Sequence, residues 1–223
     1  MIEFIGSKST HIGVAREILA KDVCEKLISE CKYYYGKIFE PGPTLGGVNK
    51  LIKSSMDFRF SDNMQATHNI NSQTFAECHA SVNTAIMSAL SLYMDEFMEL
   101  HHTPNIFHTG FRLQHYMQNS GYYRRHQDGD QWTYGPETRV LAIILYLNDV
   151  ERGGETEFPE HNLKVPARAG DIALFPTNWT HPHCGRTPVS GDKWIISSFV
   201  CVPTPTPKTF QEEEHLVEPL VVG

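Results

Sequence analysis

Arg139-Val140-Leu141-Ala142-Ile143-Ile144-Leu145-Tyr146-Leu147 is a nearly continuous apolar run rich in branched side chains. Such a run suits a strand buried on both faces rather than one that alternates between core and water. Downstream, Gly153-Gly154 breaks the chain before Glu155-Thr156-Glu157-Phe158. Leu163 to Val165, Asp171 to Phe175 and Lys193 to Val202 then read as further strands with Gly and Pro between them. Upstream, Phe107 to Met117 alternates, Asn119-Ser120-Gly121 makes a turn, and a second extended run leads into His126. Many strands with turn punctuation and no alternating helices indicate an antiparallel sandwich or jelly roll.

The first hundred residues have a different character. Ile18, Leu19, Val23, Leu27, Ile28 and Cys31 form an apolar stripe, so an amphipathic helix is expected from about Lys21-Asp22 to a stop near Gly36. Residues 40–49 hold five glycines or prolines and read as a loop. Lys53 to Phe60 alternates weakly, as a strand would. Thr74 to His101 carries Phe75, Val82, Ile86, Ala89, Leu90, Tyr93, Phe97 and Leu100 at helical spacing, with Asn71 or Ser72 as cap and Pro104 beyond the end. Met87, Met94 and Met98 are read as filler in its packing. Pro203-Thr204-Pro205-Thr206-Pro207 and the acidic Glu212-Glu213-Glu214 read as an extended arm. The expectation is one domain over 1–223: helical support with a variable loop over 1–104, a strand-rich core over 105–202 and a tail over 203–223.

Composition excludes several classes. A formal charge of −7 argues against a nucleic-acid partner. No apolar run approaches the ~20 residues of a membrane span, and the N-terminus lacks the basic-then-apolar pattern of a signal peptide. Five cysteines without CxxC spacing read as reduced thiols, so a cytoplasmic location is expected.

The chemistry-bearing stretch is Tyr123-Arg124-Arg125-His126-Gln127-Asp128. His126 and Asp128 are two apart, so on an extended strand they share a face and supply two members of a 2-His-1-carboxylate set for non-haem Fe(II). Alone, the pair is weak. The third ligand is sought in Trp179-Thr180-His181-Pro182-His183-Cys184-Gly185, where His181 and His183 compete. Turn formers separate His183 from Lys193, so a hairpin centred near Pro188 is expected to set these two residues directly across from each other. Metal and ammonium could then grip a dicarboxylate from both ends.

In this order the residues resemble the Fe(II)- and 2-oxoglutarate-dependent dioxygenases, specifically the prolyl 4-hydroxylase-like group. The resemblance covers about 107–200. It consists of Tyr123-x-x-His126-x-Asp128, Tyr146-Leu147-Asn148-Asp149-Val150, Gly153-Gly154-Glu155-Thr156-x-Phe158-Pro159 and Pro166-x-x-x-Gly170-Asp171-x-x-Leu174-Phe175. His183, Pro188-Val189 and Gly191-Asp192-Lys193-Trp194 complete it. It implies an α+β fold with a double-stranded β-helix (jelly-roll, cupin-like) core and supporting N-terminal helices. It implies iron on His126, Asp128 and His183, Lys193 on the far carboxylate of 2-oxoglutarate, and Tyr116, Tyr123 and Tyr146 along the cosubstrate or substrate channel. O₂ and 2-oxoglutarate would be consumed, with succinate and CO₂ as products, a peptidyl proline 4-hydroxylated, and ascorbate bound as well.

Some points stay open. Tyr123 is three residues from His126, so a regular strand would send it to the opposite face, and a bulge near Arg125 is required. The step from His183 to Pro188 is one residue longer than in many family members, which leaves His181 as the lesser candidate ligand. Trp194, Arg139 and Trp132 are candidate substrate contacts, and 40–49 and 131–137 are candidate lids. The alternatives are a dioxygenase acting on a free amino acid or other small molecule, a non-catalytic metal-binding jelly roll and a zinc hydrolase.

Overall fold

The computed structural model describes residues 1–44, 46–103, 105–129 and 137–203. Strands β1 (Ile2–Phe4) and β2 (Gly13–Ala15) precede helix α1 (Lys21–Tyr33) and the short α2 (Tyr35–Ile38). Strands β3 (Glu40–Pro41), β4 (Lys53–Ser54) and β5 (Met56–Phe60) follow, then helices α3 (Met64–His68), α4 (Gln73–Met94) and α5 (Met98–His101). The remaining strands are β6 (Phe107–His108), β7 (Phe111–Tyr116), β8 (Tyr122–His126), β9 (Glu137–Tyr146), β10 (Thr156–Phe158), β11 (Leu163–Val165), β12 (Ile172–Pro176), β13 (His183–Gly185) and β14 (Lys193–Pro203).

They form two antiparallel sheets. The larger runs β1-β2-β12-β9-β14-β7-β5-β3, with β6 also paired to β14, and the smaller runs β11-β10-β13-β8-β4. The apolar run that opens the sequence reading is β9, between β12 and β14 at the middle of the larger sheet. Its side chains divide by the strand period. Leu141, Ile143 and Leu145 join Leu113, Ile196 and the helices in one core. Ala142 and Tyr146 join Val14, Phe158, Phe175 and Ile195 in a second core between the sheets. Helices, large sheet and small sheet are therefore three layers, and the expected α+β jelly roll is what forms.

Helix α1 begins where its stripe predicts and buries Cys24, Leu27 and Cys31. Helix α4 is capped by Ser72, whose hydroxyl accepts from the Phe75 N–H at 3.2 Å. It stops at Met94, however, short of the expected His101. Phe97 leaves the helical conformation (φ −132°, ψ 88°) and turns its ring edge-on to Phe4 at 5.5 Å, so packing against β1 interrupts the helix before α5 resumes it. The first hundred residues also supply strands: β1 and β2 extend one edge of the large sheet and β5 and β3 the other. All five cysteines are unpaired, and among the described residues no helix is long and apolar enough to cross a membrane.

One topological expectation is overturned. β13 pairs with β8 and β10, whereas β14 pairs with β6, β7 and β9, so His183 and Lys193 lie on different sheets. The connection between them crosses the sandwich, held by a bridge between Gly153 and Pro188 and by Val189 N–H donating to the Arg152 carbonyl. The two residues still meet one cavity, because facing sheets direct side chains at each other across the gap.

Helix α4 is anchored through Phe75, fully buried and 6.1 Å and 6.0 Å (ring centroids) from Phe58 and Phe60 of β5. Phe75→Ala is expected to cost about 3–5 kcal/mol. A urea titration should show this as a lower midpoint at unchanged slope.

Candidate metal centre and its cavity

β8 and β13 place the two histidines as direct Cα partners, His126 opposite His183. The next pair is Tyr123 opposite Gly185, so three steps on β8 face two on β13, and the register shifts between them. This is a β-bulge in the Arg124-Arg125 segment, as the spacing of Tyr123 and His126 requires. It turns Tyr123 to the same side as His126, and the two rings stack with centroids 3.5 Å apart.

Asp128 lies just beyond β8. Its Oδ1 is 3.4 Å from His126 Nε2 and its Oδ2 is 3.4 Å from His183 Nε2. One ligand atom from each of the three falls within 4.8 Å of the others. The outer ring nitrogens are committed elsewhere: His126 Nδ1 pairs with the Arg124 carbonyl at 2.8 Å and His183 Nδ1 with the His181 carbonyl at 3.1 Å. Each Nδ1 must carry the proton to donate there, which leaves both Nε2 lone pairs aimed at Asp128. Burial lowers the His183 pKa to about 4. Burial opposes ionisation of Asp128, but His183 and His126 outweigh it and hold its carboxyl at about 2. Neutral imidazoles and an ionised carboxylate are the states a divalent ion needs. The donor set therefore fits Fe(II) held by two nitrogens and one oxygen, with positions left for other ligands.

His181 does not join this set. Its Nε2 pairs with the Thr10 carbonyl at 2.7 Å and its Nδ1 with the Thr180 hydroxyl at 2.8 Å, tying the loop before β13 to the segment between β1 and β2.

The trio opens into a cavity of about 450 Å³ between the sheets. Lys193, only 3% exposed, lines the same cavity from β14. Its Nζ sits over the rings of Tyr146 (5.4 Å) and Tyr116 (5.7 Å). Among the described residues it forms no ion pair, and burial lowers its pKa to about 8. A buried ammonium without a carboxylate is costly unless a ligand supplies one. Tyr116 and Tyr123 line the cavity, with the Tyr116 hydroxyl donating to Gln114 Oε1 at 2.6 Å. Tyr146 is bonded to the Thr156 hydroxyl at 2.7 Å.

The candidate substrate contacts divide. Arg139 lines the cavity, and its Nη1 donates to the Asp128 carbonyl at 3.3 Å. Trp194 does not reach it: neighbouring positions on a strand face opposite sides, so next to Lys193 it points to the helices and stacks on His115 at 4.0 Å. Trp132 lies outside the described residues, as does most of the segment 131–137 and the tail beyond Pro203. In the loop 40–49, Pro43 and Thr44 reach the cavity. Sequence reasoning missed Lys53, which also lines it and is buried with its Nζ on Asp57 Oδ2 at 2.6 Å, Ser55 donating to the other carboxylate oxygen. The signal was faint: a weakly alternating strand with polar residues on one face.

Known proteins are similar to this chain in sequence and in fold. The sequence model of the 2OG-Fe(II) oxygenase superfamily matches residues 111–201. Prolyl 4-hydroxylase 13 of Arabidopsis thaliana is 27% identical over 177 residues, 68% of this chain and 62% of that protein. Two solved structures share the fold at lower identity. The viral collagen prolyl hydroxylase of Paramecium Bursaria Chlorella virus-1, in its 2OG complex, is 18% identical with a TM-score of 0.63, covering 87% of this chain and 98% of that one. A prolyl hydroxylase of Trichoplax adhaerens, in complex with a hypoxia inducible factor peptide fragment, is 15% identical with a TM-score of 0.66, covering 86% and 84%. Residues 111–201, which carry the His-Asp-His trio, are thus similar to the 2OG-Fe(II) oxygenase superfamily, and the chain resembles prolyl hydroxylases in sequence and fold.

His183→Ala and Asp128→Ala should weaken divalent-metal binding by more than the roughly 100-fold that loss of an outer hydrogen bond can cause. His181→Ala should leave it near the wild-type value. Anaerobic Fe(II) titration calorimetry separates the cases, and loss of binding in His181→Ala alone would reverse the assignment.

Proposed function

We propose that the protein is an Fe(II)- and 2-oxoglutarate-dependent dioxygenase that 4-hydroxylates a peptidyl proline. One oxygen atom of O₂ would enter the substrate C–H bond and the other the succinate formed as 2-oxoglutarate loses CO₂. The observation that carries this reading is Lys193, a buried cation without a carboxylate partner among the described residues, in the same cavity as a His-Asp-His trio.

In this reading His126, Asp128 and His183 hold Fe(II), which supplies the redox chemistry when bound with 2-oxoglutarate. Lys193 pairs with the distal carboxylate, and the rings of Tyr116 and Tyr146 wall its ammonium so that the cosubstrate lies in one orientation. Tyr123, stacked on His126, restrains that ligand and borders the cavity. Arg139, through the Asp128 carbonyl, steadies the loop that carries the aspartate. Asp128 fills the position a halide would otherwise take, which favours hydroxylation. The proline substrate rests on the likeness to prolyl hydroxylases, and a free amino acid is the second substrate reading. Ascorbate is carried over from the same likeness. Five unpaired cysteines support a cytoplasmic location. A zinc hydrolase or a structural metal clip would leave Lys193 without a role.

The direct test is anaerobic reconstitution with Fe(II) and 2-oxoglutarate, watching for the visible charge-transfer band. Proline peptides are then screened for succinate release coupled to a mass gain of one oxygen. Lys193→Ala should raise the 2-oxoglutarate requirement by roughly 30-fold or more, the lower end of what loss of a buried charge partner costs. Unchanged turnover in that variant would sink the proposal.

The same lysine sets a pH dependence. The dicarboxylate pairs with the ammonium form, and in the ligand-free protein that form is lost as pH rises through about 8. Affinity for 2-oxoglutarate should therefore be flat below pH 7 and fall about tenfold per unit well above 8. Titrations across that range would check the slope, which Lys193→Arg should remove because a guanidinium stays charged.

A further inference from the structure

Six basic side chains line the cavity, Lys53, Arg59, Arg112, Arg139, Arg186 and Lys193, and the one described carboxylate among them is Asp128. The whole chain has the opposite balance, with 26 acidic and 19 basic residues. Two of the six have protein partners: Lys53 has Asp57 at 2.6 Å, and Arg186 Nε lies 3.4 Å from Glu157 Oε2. Asp128 offsets one of the remaining four, Lys193, Arg59, Arg112 and Arg139, and a divalent ion offsets the 2-oxoglutarate dianion. Three positive charges remain in excess.

Their placement is ordered. Arg59 of β5 and Arg112 of β7 are direct Cα partners, and Ser197 of β14 is the partner of Arg112 on the other side. Like charges set directly opposite each other on neighbouring strands destabilise a sheet. Among the described residues neither arginine forms an ion pair that would offset this. Asp57, two residues before Arg59 and on the same face, is fully used by Lys53 and Ser55. Arg139 stands at the same cavity with its guanidinium 4.0 Å from the Phe199 ring centroid, next to the loop that carries Asp128.

Strand geometry gives the spacing. Lys193 is the partner of Tyr116, and Arg112 is four residues back along β7, so the arginine rung is about 13 Å from the lysine rung. A 2-oxoglutarate held at Lys193 and the metal occupies the lysine end, which leaves the arginine end for the molecule to be oxidised.

We propose that Arg59, Arg112 and Arg139 form a specificity subsite for the primary substrate. It takes a peptide whose anionic side chain, a carboxylate or a phosphate, lies close in sequence to the oxidised residue. This rests on the dioxygenase reading above. Guanidinium groups on neighbouring strands offer paired N–H donors that match the oxygen fork of either anion. Arg59 and Arg112 are exposed where they line the cavity, so a substrate anion can reach both from solvent, and salt should weaken the attraction as it does for a surface pair.

The test uses the full chain with Fe(II) and 2-oxoglutarate under anaerobic conditions. Fluorescence anisotropy would follow labelled proline peptides identical except for one flanking residue: glutamate, phosphoserine, glutamine or lysine, moved through each position. The anionic peptides should bind about tenfold or more tightly than the glutamine peptide, the contribution of one charge-assisted hydrogen bond, and the lysine peptide most weakly. The double variant Arg59→Glu with Arg112→Glu should invert the order, while Arg59→Lys with Arg112→Lys should preserve it. Unchanged 2-oxoglutarate affinity in both shows that the fold is intact.

Equal affinity for all four peptides, or an unaltered order in the glutamate variant, overturns the proposal. Preference for phosphoserine over glutamate would assign the anion as phosphate, and the reverse as carboxylate. The two readings fail separately. Arginine-dependent binding of acidic peptides without oxidation of their proline keeps the subsite and removes the prolyl reading. Equal oxidation of proline in neutral and acidic peptides keeps the prolyl reading and removes the subsite.

Discussion

The pairing of β8 with β13 is the contact on which the candidate site depends. It sets His126 opposite His183, and the bulge beside them turns Tyr123 onto the same side. Backbone hydrogen bonds fix that register, and carbonyls of the same two segments then fix which nitrogen of each ring is free. A slip of one residue would send both rings to the other face. The placement of the two histidines is thus a property of a strand pair, with Asp128 carried on the loop just beyond it.

That strand pair belongs to the smaller sheet and would be marginal alone. It is stable because the larger sheet backs it, and that sheet is in turn covered by α1 and α4. β9 is the hinge of this arrangement in the packing sense: one face completes the helix core and the other the inter-sheet core. The cavity is the part of the inter-sheet space where polar side chains replace apolar ones. There Lys193, Gln114 and Ser197 share with Ile195 the strand face that points into the cavity.

Charge is distributed against the average of the chain. An acidic protein concentrates cations in its one described trio-bearing cavity, and burial of Lys193 and Lys53 makes each costly without a counter-charge. Lys53 has its counter-charge in Asp57. Lys193 has none among the described residues, and Arg59 faces Arg112 across the strands. The difference separates a structural ion pair from cations that the described carboxylates leave unmatched.

Much of this was legible in the sequence because it is local. The period-2 and unbroken apolar runs marked the strands, the stripe from Ile18 to Cys31 marked α1, and the spacing of Tyr123, His126 and Asp128 required a bulge. Ordered motif blocks singled out the His126, Asp128 and His183 trio and Lys193 as candidates. The tertiary structure decided what local pattern could not. It put β13 and β14 on different sheets, so His183 and Lys193 meet across the sandwich and not along a hairpin. It turned Trp194 to the helices, ended α4 at Phe97's contact with Phe4, and brought Arg59 beside Arg112 from segments far apart in the chain. The physical reason is the same in each case. Periodicity fixes which way a side chain faces relative to its own strand, whereas its neighbours are set by long-range strand order, which no local run of residues encodes.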